Sequence, residues 1–401
     1  MNPVGKIRLA VIGIGNRAQK YMKYLLQHPE DACITYLVEP NPVRLHQAQD
    51  LMHVEADHCF RETEMFLMER HEDVDAVIIA SPDDRHFDQC MRCIRHGYHV
   101  LLEKPIATTV QQCHTLAEAA AEAGVLVSVC YVLRYHPMFQ KVRQLVREGQ
   151  LGRIMSINYT NSIGLDRTLH TYVRGFWSRK ETSCPVVLAK CCHDVDYLLW
   201  LCGSPVKSVS ASGQLTWFKQ ENAPEGSATR CIHCSIEKDC PFSAIDMYQR
   251  RRVWISNFPI PQGQTLDQVL QTEMVQGRFG RCVYHCHNDV SDHKVMWMEL
   301  EDESTICMTM DFFTHKDGRR FFIQCAMGEI EVMYDQVHVH YFNHRPDEHY
   351  DFSRVLTSPL HGNADMYIMR NFIAAIQGKE PLVAPISEAL ESHLICFEAE
   401  D

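Results

Sequence analysis

The run Gly13-Ile14-Gly15-Asn16-Arg17-Ala18 has the G-x-G-x-x-A spacing of a dinucleotide fingerprint. Gly13 permits a tight turn, Gly15 lets the backbone approach a pyrophosphate, and Ala18 lets the following helix lie close to its sheet. The amides that open this helix, with Asn16 and Arg17 in the turn, face the phosphates. Glu39 follows Ala18 by 21 residues. A carboxylate there accepts hydrogen bonds from ribose hydroxyls and repels a 2′-phosphate, so NAD is expected and NADP is disfavoured. Ser81, Pro82 and His86 follow a later strand, and Glu103-Lys104-Pro105 another, at the carboxyl ends where open α/β sheets bind ligands. Ser81, Pro82, His86, Glu103 and Lys104 complete the expected cofactor set. Lys104 interrupts a buried strand and precedes a proline, so the fold fixes its position. It reads as a functional ammonium rather than a solvated partner of Glu103.

A second cluster is built on sulphur. Cys231-Ile232-His233-Cys234 is followed by Cys240-Pro241 six residues on, giving three thiols on tight turns. Cys231, Cys234 and Cys240 suit a tetrahedral structural zinc that needs one more ligand, from Cys282, Cys286 or His233. Iron–sulfur ligation and no metal at all are the competing readings. A zinc here would staple a loop rather than catalyse, since no acid or base accompanies it.

Around the fingerprint, strands expected at 7–13, 33–39, 74–80, 98–103 and 125–131 alternate with helices at 16–27, 43–53, 86–96 and 110–123. That alternation implies parallel βαβ units with continuous apolar strands covered by helices on both faces, a doubly wound α/β domain. Composition agrees with a globular chain: 401 residues are 46% hydrophobic, enough to fill real cores. Fifty-one acidic against 39 basic side chains give a net charge of −12, which disfavours nucleic acid and anionic membrane surfaces as partners. No apolar run approaches a membrane span, and the apolar start breaks at Gly15-Asn16-Arg17. A soluble, unprocessed, cytoplasmic chain is expected, with its 18 cysteines as reduced thiols. Cys33, Cys130 and Cys191-Cys192 read as small buried hydrophobes.

Taken together, G-I-G-N-R-A at 13–18, E-K-P at 103–105, V-C-Y-V-L-R-Y-H-P at 129–137 and C-H-D-V-D-Y-L-L-W-L-C-G at 192–203 resemble the glucose–fructose oxidoreductase and inositol dehydrogenase (Gfo/Idh/MocA) family. The resemblance covers most of the chain. It implies a Rossmann domain over 1–131 and a second, α+β domain over 132–401, built on a large, mostly antiparallel open sheet that carries the substrate site and mediates homo-oligomer formation. Alternating patterns at 153–162, 207–217, 294–301, 304–312, 319–325 and 330–334 agree with such a sheet. Residues 219–290 stand apart as a cysteine-rich insert.

The resemblance also places Lys104 and His193 around a reacting carbinol of a sugar or cyclitol. Oxidising that carbon requires its hydroxyl proton to leave. Imidazole suits the role of base, and an ammonium beside it stabilises a developing alkoxide. Asp194 orients His193 or meets substrate, while Asp196 caps or packs. The family pattern has an aspartate four residues before the histidine, and here that residue is Ala189 with Lys190 beside it. Either His193 works with Lys104 alone, or Lys190 has joined the site; its bland reading is a snorkelling surface lysine.

Tyr131, Arg134, His170, Arg174, Trp177 and His361 are the remaining substrate candidates, since sugar sites combine aromatic platforms with charged groups for hydroxyls. His361 and Asp365 flank a helix start where Asn363 is the expected N-cap, in a loop that could close over substrate. Three functions follow: an NAD-dependent oxidoreductase acting on a hydroxyl of a sugar, sugar derivative or cyclitol; a redox-assisted glycosidase running oxidation, elimination, hydration and re-reduction; or a non-catalytic NAD sensor.

Overall fold

The computed structural model describes residues 5–354 and 363–400. Six parallel strands form the first sheet in the order β3-β2-β1-β4-β5-β6. They are β1 (Ile7–Ile12), β2 (Ala32–Val38), β3 (Cys59–Phe60), β4 (Ala76–Ile79), β5 (His99–Leu102) and β6 (Val127–Val129). The central strands read as unbroken apolar runs because both faces are covered: Leu9–Val11 and Ala76–Ile79 have no exposed surface. Helices α1 (Asn16–Gln27), α2 (Pro42–Met52), α3 (His86–Arg95) and α4 (Val110–Ala123) supply the cover. The strand order reverses beside β1, and there the βα loops part to make the ligand crevice of a doubly wound sheet.

After α5 (Pro137–Arg147), the second sheet has eight strands in the order β14-β13-β12-β11-β7-β10-β9-β8. These are β7 (Ile154–Gly164), β8 (Val206–Gln214), β9 (His293–Leu300), β10 (Thr305–Thr314), β11 (Gly318–Cys325), β12 (Gly328–Met333), β13 (Gln336–Tyr341) and β14 (Glu348–Asp351). All neighbours are antiparallel except β7 with β10. Burial alternates along β9 and, as far as Phe312, along β10, so one face packs inward and the other turns toward solvent. Helix α6 (Val186–Cys202) lies under the inward face with every residue but Trp200 and Cys202 buried. Helix α7 (Leu266–Val275) belongs to the insert, whose residues form a separate small core around Met247, Tyr248, Leu270 and Met274.

The chain then returns to the first domain. Helix α8 (Ala364–Ile376) sends Asp365 to Arg17 (2.6 Å), and α9 (Ile386–Glu398) buries His393, whose Nε2 accepts the Ile106 amide at 2.7 Å. Asn363 occupies the N-cap position of α8, but at φ +63° its side chain makes no capping bond. Strands β13 and β14 were not expected from the sequence. β13 does alternate valine with histidine, with Val337 and Val339 buried, but only over six residues, and β14 is a short polar edge strand with no such pattern. Among the described residues, no helix is long and apolar enough to cross a membrane.

Candidate active site

The fingerprint loop is shaped by its glycines for different reasons. Gly13 has φ +82°, and a Cβ there would lie 2.7–2.8 Å from the backbone of Ala80 and Ser81. Gly15 is extended (φ −81°), and a Cβ there would meet nothing within 4 Å. The open space lies at the N-terminus of α1, which has no side-chain cap and no acidic residue in its first turn. An uncapped helix end beneath open space fits a pyrophosphate. Glu39, buried at the end of β2, takes the Ile14 amide on Oε2 (2.7 Å) and the Asn41 amide on Oε1 (2.9 Å), holding its carboxylate beneath the loop. Gly13→Ala is therefore expected to cost stability, about 1–3 kcal/mol, through left-handed strain and backbone overlap. Gly15→Ala should leave the melting temperature unchanged and weaken dinucleotide binding roughly tenfold, about 1.4 kcal/mol. Thermal melts with and without dinucleotide check both; equal effects of the two substitutions would refute this assignment of the loop.

Arg17 does not point into that space. Its guanidinium binds Glu103 (2.6 Å), the Tyr21 hydroxyl (2.7 Å) and Asp365 (2.6 Å), clamping fingerprint, E-K-P turn and α8 together. Neutralisation by Arg17 keeps the buried Glu103 carboxyl below its ordinary range. His86 ties two loops, with Nε2 3.0 Å from the Ser81 carbonyl and Nδ1 2.6 Å from the Pro105 carbonyl. The Ser81 hydroxyl donates to Gln89 (2.6 Å), and Pro82 precedes the turn that carries Asp83.

From this frame Lys104 crosses to the second domain, where its Nζ donates to the Ala189 carbonyl on α6 at 2.5 Å. The next residue, Lys190, is buried and has no surface stem to snorkel along. Burial, with Arg167 and Arg319 nearby, lowers its pKa to about 7, against the pull of Asp194 and Asp317. One turn on, His193 Nε2 lies 2.7 Å from Arg319 Nη2 on β11. A guanidinium only donates, so Nε2 is the acceptor and the neutral ring carries its proton on Nδ1. Asp194 is fully buried and accepts from Tyr159 (2.5 Å), Asn161 (2.7 Å) and Arg319 Nε (2.5 Å). It fixes Arg319, and with its Oδ2 3.5 Å from His193 Nε2 it helps set the His193 ring.

Asp83 and Arg319 were missed by sequence reasoning. Asp83 accepts from Trp177 Nε1 (2.7 Å) and Cys184 Sγ (3.6 Å), and burial pushes its carboxyl up although His86 and Lys104 oppose the rise. Its position in a strand-end loop was a signal; Arg319, a strand residue far from every motif, gave none.

Other candidates are spent on structure. The Tyr131 hydroxyl meets Ser392 and His393, both at 2.7 Å. Arg134 forms a two-pronged ion pair with Asp196 (2.8 Å each) and reaches Glu388 (2.7 Å). His170 lies on a π-helical turn, stacked on Trp254 and Phe279 of the insert. Arg174 donates to the carbonyls of Arg281 (2.8 Å) and Phe242 (2.6 Å), also in the insert. Trp177 alone reaches the strand-end loops. Asp365 is held by Arg17, so it belongs to the frame, and His361 lies outside the described residues. Asn16 touches the insert, 3.5 Å from Asn257, whose own amide sits 3.0 Å from His170.

A dinucleotide cradle on a parallel sheet, facing lysine and imidazole groups presented under a large open sheet, defines a two-domain dinucleotide-dependent oxidoreductase. The chain belongs to the Gfo/Idh/MocA oxidoreductase family. Residues 7–131 match its NAD-binding Rossmann fold, and residues 143–396 match its C-terminal alpha/beta domain. It is 25% identical over 308 residues to YteT of Bacillus subtilis, covering 74% of this chain and 69% of that one. It is 34% identical over 151 residues to a scyllo-inositol 2-dehydrogenase (NADP(+)) of the same organism, covering 37% and 40%. A 2,7-anhydro-N-acetylneuraminate hydratase of Escherichia coli is 25% identical over 207 residues, 52% of each chain. The chain thus spans about two fifths to half the length of the latter two relatives. Among solved structures, an oxidoreductase from Agrobacterium radiobacter in complex with NAD+, L-tartaric acid and magnesium superposes with a TM-score of 0.72 at 13% identity, covering 98% of this chain and 96% of that one. The WlbA dehydrogenase from Bordetella pertussis, in complex with NADH and UDP-GlcNAcA, gives 0.70 at 18%, covering 99% and 95%.

Proposed function

We propose that this protein oxidises or reduces a hydroxyl-bearing carbon of a sugar, sugar derivative or cyclitol, using NAD in preference to NADP. The carrying observation is the contact of Lys104 Nζ with the Ala189 carbonyl, which joins the E-K-P turn to the helix bearing Lys190 and His193. The bound nicotinamide supplies the hydride chemistry. Lys104 offsets negative charge on the substrate oxygen, and the α6 groups take or return its proton. Preference for NAD rests on Glu39, whose buried carboxylate would repel a 2′-phosphate. The relatives' names support the substrate class, since they include an inositol dehydrogenase. The exposed sheet face, with Met155, Val295, Trp297 and Phe322, is the proposed self-association surface.

Lys190 favours a second reading. An amine titrating near pH 7 is an additional base, as needed to remove a C–H proton beside a transiently oxidised carbon before elimination, water addition and re-reduction. A hydratase among the relatives agrees with it. One experiment separates the two. The protein is denatured after purification, its released nicotinamide quantified, and fresh protein assayed with cyclitols, sugars and chromogenic glycosides. Accumulating NADH marks a dehydrogenase; released aglycone without net NADH marks the elimination route. Dinucleotide binding with neither outcome would overturn both.

A further inference from the structure

Residues 219–290 hold together with little regular structure. Besides α7 they consist of short helical turns, and they share one isolated bridge, Arg230 with Arg281. Their small core is separate from the main one. Units of this size and irregularity usually need a staple.

Four thiols line one small, narrow cavity in this insert: Cys231, Cys234, Cys240 and Cys282. They come from two distant stretches that the bridge brings together. Its antiparallel register sets Cys282 opposite Thr229, whose carbonyl accepts the Cys282 amide at 2.9 Å, and makes Cys231 and Cys282 diagonal neighbours across the bridge. The other two fourth-ligand candidates are elsewhere. Neither Cys286 nor His233 lines the cavity, and Cys286 Sγ donates to the Cys282 carbonyl at 3.2 Å. The surroundings suit thiolates. The Ala244 amide points at Cys231 Sγ (3.4 Å), and Arg174, fixed by two carbonyls, brings Nη2 within 4.0 Å of the same sulphur. Amide and guanidinium donors to a ligand sulphur are what a charged metal–thiolate cluster requires around it.

We propose that Cys231, Cys234, Cys240 and Cys282 bind one structural zinc ion that staples the insert. Binding releases the four thiol protons to solvent, and Arg174 offsets part of the resulting double negative charge. In a closed site with Zn–S of about 2.3 Å the sulphurs stand roughly 3.8 Å apart. No three of these thiols lie mutually within 4.8 Å, so the ion closes the cluster by side-chain rotation into the cavity. The only described group that meets that spacing is His28, Glu30 and Asp31, toward the surface. The staple matters beyond the insert, because Asn257 abuts Asn16 at the fingerprint and Trp254 and Phe279 hold His170. The proposal is independent of which reaction the enzyme runs.

The test is metal analysis of the full-length protein purified without chelator from zinc-supplemented cells. About one zinc per chain is expected in wild type and in Cys286→Ser, and none in Cys234→Ser or Cys282→Ser. Wild-type protein stripped of metal and reloaded with cobalt(II) provides a readout that does not depend on the variants folding. It should show tetrahedral d–d bands with strong thiolate-to-cobalt charge transfer. Iron in place of zinc, zinc retained in Cys282→Ser but lost in Cys286→Ser, or a cobalt spectrum without thiolate character would overturn the proposal.

Discussion

Lys104→Met should lower kcat roughly 10²–10⁴-fold while leaving dinucleotide affinity within a few-fold of wild type. Methionine keeps the apolar stem that runs past the buried end of β5, so the change removes chiefly the ammonium and its 2.5 Å bond to Ala189. That bond also ties the two domains, and its loss should reduce stability by about 1.5–3 kcal/mol, the usual worth of a hydrogen bond from a charged group. Stability and catalysis are thus expected to fall together, and a temperature series separates them. If the kcat loss persists far below the melting transition, the ammonium acts in the reaction. A variant within threefold of wild type at low temperature would show that Lys104 serves only as a tether.

The dinucleotide domain was legible because its physics is local. Buried parallel strands are short apolar runs, and Gly13 is demanded by the backbone of its neighbouring loop, so both leave marks in consecutive residues. Lys104 was legible for the same reason, as a charge where a buried strand should continue. What could not be read was partnership across distance. Arg134 looks like a ligand group in the sequence and Asp196 like a capping or packing residue, and only the fold makes them answer each other over 62 residues. Asp194 lies at His193 as expected, 3.5 Å from its Nε2, but it also holds Arg319, which no motif contains. The histidine and arginine of the 170–177 segment read as sugar-binding groups, yet His170 is stacked between the insert's aromatic rings and Arg174 is committed to its carbonyls. The insert's three-cysteine signal was visible, but choosing Cys282 over Cys286 and His233 required the bridge that brings Cys282 beside Cys231.

Lys190→Met should raise stability at neutral pH while abolishing an activity limb. The signs follow from burial. In the unfolded chain this amine stays protonated up to about pH 10.4, whereas in the folded protein it loses its proton near pH 7. The stability it contributes is complete only above the unfolded value and is lost as pH falls toward 7, a penalty on the order of several kcal/mol. Methionine has no such penalty, so the melting temperature should rise near pH 7 and the gain should shrink toward pH 10. Catalytically, a neutral amine serves as base, so the wild-type rate should climb through pH 7 and level off above it. Lys190→Arg decides between base and charge, since a guanidinium stays protonated throughout. If Lys190 is the base, arginine gives a low, flat profile like that of methionine. If its charge is what matters, the wild-type rate falls through pH 7 and arginine restores activity above it, which would refute the base assignment. A stabilised, inactive methionine variant would mark Lys190 as a residue retained for chemistry against the preference of the core around it.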